Sequence, residues 1–99
     1  MKKMPKLPKS KKLGLRTWIE IDKKKAKKNF KALKKILSPN TKFGAVTKSN
    51  AYGHGLVGYS KLMEELGADW ILVDSIMEAK TLRREGIKVP ILVLGYTLP

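Results

Sequence analysis

Two short stretches of the chain, WILV at residues 70–73 and ILVL at residues 91–94, decide the fold. Each stretch is apolar at four successive positions, so neither strand would have a polar face turned to water. Strands that are apolar on both faces are typical of parallel sheets covered by helices. We therefore expect an α/β fold.

Strands and helices alternate along the rest of the sequence. Amphipathic spacing predicts helices that begin at Asp22, near Tyr59 and at Ser75, where a capping box precedes the helix. The first helix has an apolar stripe and should end at Ser38, before Pro39. The glycine-rich segment 50–58 is predicted to be a loop. Strands are predicted at residues 17–21, 43–47, 70–73 and 91–94.

Two architectures fit this order of elements. One is an open doubly wound sheet, and the other is the first part of a (β/α)8 barrel, which needs about 250 residues. The sequence ends at Pro99, directly after an apolar strand with no helix following it. Soluble proteins avoid an exposed apolar strand edge. We therefore expect this sequence to be part of a larger fold.

Composition excludes several classes of protein. The chain has 99 residues, enough for one domain, and it has no cysteine, which excludes disulfide scaffolds and thiolate sites. Its single histidine, His54, cannot form a zinc site alone, so no metal is expected. No apolar run approaches the roughly 20 residues that span a bilayer, and the basic start lacks the apolar core of a signal peptide. We expect a cytoplasmic protein that is not integral to a membrane.

The positive charge is concentrated near the N-terminus. The net charge is +14, and nearly all of the excess lies in residues 1–35. Residues 1–15 are expected to form a basic, mobile tail, and the lysines of residues 23–35 to form the solvated face of a helix. A patch that binds nucleic acid is the alternative interpretation of the same lysines.

The segment AVTKSNAYGHG, at residues 45–55, carries the chemistry. Lys48 follows a predicted strand and precedes a glycine-rich loop, which is where α/β folds place their active sites. Its amine could condense with an aldehyde, and the hydroxyl of Tyr52 could bind a phosphate. From spacing and composition alone, an ordinary surface lysine before a flexible turn is the favoured interpretation.

This segment resembles the motif by which alanine racemases attach pyridoxal phosphate, which usually reads close to AVVKANAYGHG. Thr47 and Ser49 stand where valine and alanine are more usual, and both are small enough to fit. The flanking stretches TWIEID, GADWILVDSIMEAKTLRREGI and PILVLGY also resemble the family, in the same order. The resemblance extends over residues 16–99.

The resemblance implies the start of a (β/α)8 barrel, with residues 17–21 outside the barrel proper, in an enzyme that interconverts L-alanine and D-alanine for peptidoglycan. Lys48 matches the lysine that forms the internal aldimine with pyridoxal 5'-phosphate and is the base on the D-alanine face. Tyr52 matches the tyrosine that contacts the cofactor phosphate. Val46 and Leu94 match apolar residues near the cofactor, although ordinary core side chains would have the same pattern. No role is assigned to His54.

Family members also have a C-terminal β-domain and act as homodimers. Their second base, a tyrosine, lies in that domain, and their remaining cofactor ligands lie further along the chain than residue 99. We therefore expect these residues by themselves to lack racemase activity. Alternatives are another pyridoxal-phosphate barrel enzyme, such as a broad-specificity or serine racemase, and a basic module that binds nucleic acid.

Overall fold

The computed structural model describes residues 17–98, so the predicted tail at residues 1–15 lies outside the described part. Helices and parallel strands alternate in it, and the expectation of an α/β fold is confirmed. The elements, in chain order, are α1 (Lys23–Ile36), β1 (Gly44–Val46), α2 (Lys48–Tyr52), α3 (Leu56–Leu66), β2 (Trp70–Val73), α4 (Ile76–Arg84) and β3 (Ile91–Val93).

Across residues 17–98 the sheet has three strands in the order β1-β2-β3, which is also their order in the sequence. Both pairs are parallel, and Val46, Leu72 and Leu92 are neighbours across the sheet. A doubly wound sheet reverses direction within its strand order, whereas a barrel adds each strand on the same side. The observed order is that of a barrel.

In the part of the chain that the structure describes, the helices cover only one face of this sheet. Along β1 and β2 the side chains of Ala45, Ile71 and Val73 are buried on the helical side. On the opposite face, Val46 is 39% exposed and Leu92 is 45% exposed. An open doubly wound sheet would have helices on both faces. The apolar open face therefore corresponds to the inner face of a barrel wall.

The core lies between the sheet and the helices. Ile71 and Val73 of β2 and Leu82 of α4 are completely buried. The ring of Phe30 from α1 packs on that of Phe43, with 4.4 Å between ring centroids. Burying each of these large apolar side chains contributes about 1.5–3 kcal/mol. This packing fixes the positions of the three strands relative to one another.

The caps predicted from the sequence are present at two helices. Asp22 Oδ1 accepts a hydrogen bond of 3.1 Å from Lys25 N at the start of α1. The Ser75–Glu78 capping box forms with both of its bonds at the start of α4. Gly67, at φ 107°, ends α3 in the left-handed conformation expected of a C-terminal glycine. None of the helices within residues 17–98 is long and apolar enough to cross a membrane.

The prediction of a strand at residues 17–21 is wrong. This segment has no strand conformation, and none of the described strands pairs with it. Alternation of polar and apolar residues gives a segment two faces, but a strand also needs the edge of a neighbouring strand for its backbone hydrogen bonds. The side chain of Ile19 accordingly remains 71% exposed.

The prediction of a loop over residues 50–58 is wrong in part. A helical turn, α2, occupies its first residues, and α3 begins at Leu56 rather than near Tyr59. Asn50 Oδ1 accepts a hydrogen bond of 2.8 Å from Leu56 N and so helps to start α3 early. Gly58 therefore lies inside a helix, which costs about 1 kcal/mol relative to alanine.

The predicted apolar stripe of α1 is incomplete, because Leu33 is exposed whereas Phe30 is buried.

Glu64, near the end of α3, holds the segment that leads into β3. Its Oε2 accepts hydrogen bonds from Lys88 N at 2.7 Å and from Val89 N at 2.9 Å. These two hydrogen bonds lower the pKa of Glu64 below its ordinary value of 4.5, and the bond from Val89 has the larger effect. The folded chain therefore favours the ionised carboxylate more than the unfolded chain does.

This lowered pKa predicts a loss of stability in acid. The ionised Glu64 carboxylate contributes to the free energy of unfolding. This contribution is fully present above the pKa that Glu64 has in the unfolded chain, and it is lost as the pH falls through the lower pKa of the folded chain. Between about pH 6 and about pH 3, the free energy of unfolding of the unmodified chain should fall more steeply than that of Glu64→Gln, which keeps an acceptor oxygen but cannot titrate. Urea unfolding across this range measures both slopes. Equal slopes would contradict the role given to this carboxylate.

Candidate active site

Lys48 lies directly beyond the carboxyl end of β1. The preceding residue, Thr47, still belongs to the sheet ladder, because Thr47 N donates a hydrogen bond of 2.9 Å to Leu72 O. Thr47 is completely buried, and Lys48 is half-buried. The carboxyl ends of parallel strands meet at one edge of the sheet, and in barrels this edge holds the active site. The lysine is thus located where the sequence predicted.

The residues after Lys48 form a left-handed turn. Ser49, Asn50, Ala51 and Tyr52 have φ values of 54°, 57°, 54° and 52°. Asparagine visits this region readily, but for other residues with a Cβ the left-handed helix costs roughly 1–2 kcal/mol each. A run of this kind persists only where surrounding contacts hold it, and such strain is concentrated at functional sites.

Local hydrogen bonds stabilise the turn. Ala51 N donates to Thr47 O at 2.8 Å, and Gly55 N donates to Asn50 O at 2.9 Å. The ring of His54 reaches back to Ala51 O at 2.9 Å. A carbonyl oxygen can only accept, so His54 Nδ1 carries the hydrogen of this bond. His54 therefore has a structural contact that the sequence did not predict.

A carboxylate from a distant part of the sequence also contacts the turn. Glu78 Oε2 accepts a hydrogen bond of 3.0 Å from Ser49 N. The other oxygen, Oε1, accepts from Asp74 N at 2.8 Å and from Ser75 N at 3.2 Å. The capping box could be read from the sequence, but the bond to Ser49 could not, because 29 residues separate the two partners.

Behind Lys48, two buried hydroxyl groups are paired. Ser60 Oγ of α3 donates a hydrogen bond of 2.9 Å to Thr47 Oγ1, and both side chains are completely buried. The pair joins the end of β1 to the helix behind it. A threonine within an apolar strand was the sequence signal for a buried partner, since buried polar groups are normally hydrogen-bonded.

This pair should behave as a coupled unit. Thr47→Val keeps the shape of the side chain but leaves the Ser60 hydroxyl buried without this partner, which should cost about 1–3 kcal/mol of stability. Combined with Ser60→Ala, the total cost should be smaller than the sum of the single costs by about 1 kcal/mol. Urea unfolding of the two single variants and the double variant measures the coupling. Costs that add to within about 0.3 kcal/mol would contradict it.

Three further residues were predicted to lie at the site: Tyr52, Val46 and Leu94. The fold brings only some of them close to Lys48. Tyr52, at the end of the left-handed turn, is 63% exposed. Val46 lies on the open face of the sheet, two residues before Lys48. Leu94 is 48% exposed just beyond β3. It therefore lies at the same edge as Lys48 but two strands away, a separation of roughly 10 Å.

An open groove of about 430 Å³ lies elsewhere, beside His54 and Tyr59, and Lys48 is not among its lining residues. This groove is therefore separate from the candidate site at Lys48. Within residues 17–98, no group of histidine, aspartate and glutamate side chains is arranged to hold a metal ion.

Known proteins share this arrangement. The family described as alanine racemase, N-terminal domain, matches residues 21–99. The chain belongs to the alanine racemase family. An alanine racemase from Symbiobacterium thermophilum is 49% identical over 87 residues, which are 87% of this chain and 23% of the relative. The chain thus spans about a fifth of the length of the curated relatives it matches.

Solved alanine racemases have the same local fold. The alanine racemase from Bacillus anthracis with bound L-Ala-P superposes with a TM-score of 0.77 at 40% identity, over 81% of this chain and 21% of that one. The alanine racemase from Clostridium difficile 630 in complex with cycloserine gives a TM-score of 0.68 at 41% identity, over 71% and 19% of the two chains. The expected fold, the start of an alanine racemase (β/α)8 barrel, is confirmed.

Proposed function

We propose that this chain provides the lysine that attaches pyridoxal phosphate in an alanine racemase, an isomerase that interconverts L-alanine and D-alanine. The observation that carries the proposal is the position of Lys48 at the carboxyl end of β1, within AVTKSNAYGHG, in a chain of the alanine racemase family. We assign residues 16–99 to the barrel domain and residues 1–15 to a basic tail.

The residues present fit this cofactor. Lys48 provides a primary amine that is only half-buried, so an aldehyde can reach it. Tyr52 provides an exposed phenol, which can donate a hydrogen bond to a phosphate oxygen. The exposed side chains of Val46 and Leu94 would provide apolar contacts at the same edge of the sheet.

When bound, pyridoxal phosphate would delocalise the negative charge that forms when an amino acid loses its Cα proton. The chain contributes position and a base. Lys48 Nζ would hold the cofactor through its aldehyde carbon. When it is not bonded to the aldehyde, the same amine would accept the Cα proton on the D-alanine face.

The family resemblance supports the remaining parts of the proposal. They are a base on the opposite face supplied by another domain, assembly of the whole enzyme as a homodimer, a cytoplasmic location and supply of D-alanine for peptidoglycan.

Deuterium exchange in D2O tests the proposal. With pyridoxal phosphate present, the chain should exchange the Cα proton of D-alanine without producing L-alanine, because the opposite base is not among the matched residues. Lys48→Ala should lose the exchange, and Lys42→Ala should keep it. Equal exchange by Lys48→Ala would contradict the proposal. Faster exchange of D-serine than of D-alanine would favour a serine racemase instead.

A further inference from the structure

Glu78 lies outside the recognised motif and binds the backbone of Ser49, the residue that follows Lys48. It lies in the first turn of α4, behind β2, and it is half-buried. Its two carboxylate oxygens face different partners. Oε1 binds the amides of Asp74 and Ser75, and Oε2 binds the amide of Ser49. One side chain therefore joins the loop after β2 to the turn after β1.

The backbone on either side of Lys48 is thereby fixed to two different supports. On one side, Thr47 is held by Leu72 O and by the hydroxyl of Ser60. On the other side, Ser49 N is held by Glu78. Ser49 is also the first residue of the left-handed run, and strained backbone persists only where surrounding contacts hold it.

Holding the backbone matters for the chemistry of the amine. A lysine side chain is a flexible chain of four carbons. The position of its nitrogen therefore depends on the direction of the Cα–Cβ bond, which the backbone sets. Condensation with a bound aldehyde is faster when the two reacting atoms are already held near each other. Hydrogen bonds to a charged acceptor are about twice as strong as neutral ones.

We propose that Glu78 is a positioning residue for Lys48, tying the left-handed turn at Ser49 to the capped start of α4 so that the lysine amine points to a fixed place at the sheet edge. This inference rests on the proposed function, since it assigns Glu78 a role toward the same cofactor.

Glu78→Gln separates this role from helix capping. Glutamine also serves at this position of a capping box, because its single carbonyl oxygen can accept from the cap amides. Its amide NH2 is a donor and cannot accept from Ser49 N. The matched control is Ser75→Ala, which removes the cap bond from Glu78 N to Ser75 Oγ but keeps the carboxylate that faces Ser49.

Two measurements on the full 99-residue chain give the result. The first is hydrogen exchange of the Ser49 amide by NMR, and the second is the yield of pyridoxyl-Lys48 after borohydride reduction at limiting pyridoxal phosphate. Glu78→Gln should speed the exchange about tenfold and lower the yield about tenfold, each corresponding to about 1.4 kcal/mol. Ser75→Ala should change neither by more than its change in global stability explains.

Four outcomes would overturn the inference. An unchanged Ser49 exchange rate in Glu78→Gln would show that the bond does not hold the turn. Equal losses of yield in Glu78→Gln and Ser75→Ala would show that Glu78 acts only by capping α4. If Lys48 is labelled in the unmodified chain and the yield of pyridoxyl-Lys48 is the same in Glu78→Gln, the result contradicts this inference but not the proposed function. Absence of label on Lys48 in the unmodified chain contradicts the proposed function and this inference with it.

Discussion

Lys48→Arg should weaken the binding of pyridoxal phosphate by at least about a hundredfold, or about 2.7 kcal/mol. Arginine keeps a positive charge and a long side chain, so attraction to the phosphate remains. Its guanidinium stays protonated and cannot attack an aldehyde. The loss would therefore report the covalent attachment rather than electrostatics. Titration with pyridoxal phosphate, followed by visible absorbance, measures it.

Lys42→Arg is the control for this substitution. Lys42 is exposed and precedes β1, so it lies toward the opposite edge of the sheet from Lys48. Its replacement should leave the affinity unchanged. If the two variants weaken binding equally, the absorbance comes from scattered surface lysines, and Lys48 has no special place among them.

Ile71→Ala should destabilise the chain by about 2–5 kcal/mol, because it empties a completely buried position at the centre of the sheet. Ile71 lies in β2, with a parallel strand on either side, and its side chain is part of the core under the helices. A small domain has only about 5–15 kcal/mol of stability in total, so this single change should remove a large part of it. Urea unfolding measures the loss.

Leu92→Ala provides the comparison on the opposite face. Leu92 is already 45% exposed, so truncating it should cost less than about 1 kcal/mol in this chain. A cost equal to that of Ile71→Ala would mean that the apolar face is covered. That result would contradict the one-sided arrangement of helices from which the barrel wall was recognised.

The regular parts of this fold could be predicted from the sequence. The strand at residues 70–73 was predicted with its observed bounds, and the Ser75–Glu78 capping box forms as its spacing indicated. These features depend on residues a few positions apart, whose interactions follow from local geometry. The position of Lys48 at a strand end was predictable for the same reason.

Features that depend on distant partners could not be predicted. The strand expected at residues 17–21 has alternating residues but no strand beside it. The left-handed conformation of Ala51 and Tyr52 is unfavourable for these residue types, so local preference indicates a different structure. The contact of Glu78 with Ser49 exists only because β1 and β2 are neighbours. At these positions, contacts between residues distant in the sequence outweigh the local conformational preferences.

Peptide mapping of the unmodified chain, after reduction of its complex with pyridoxal phosphate by borohydride, tests the central claim most directly. Reduction fixes the cofactor to whichever amine holds it, and mass spectrometry then identifies the peptide. The proposed site predicts that the pyridoxyl group is on Lys48 at low cofactor concentration. Label spread over the lysines of α1, with Lys48 unmodified, would contradict the claim.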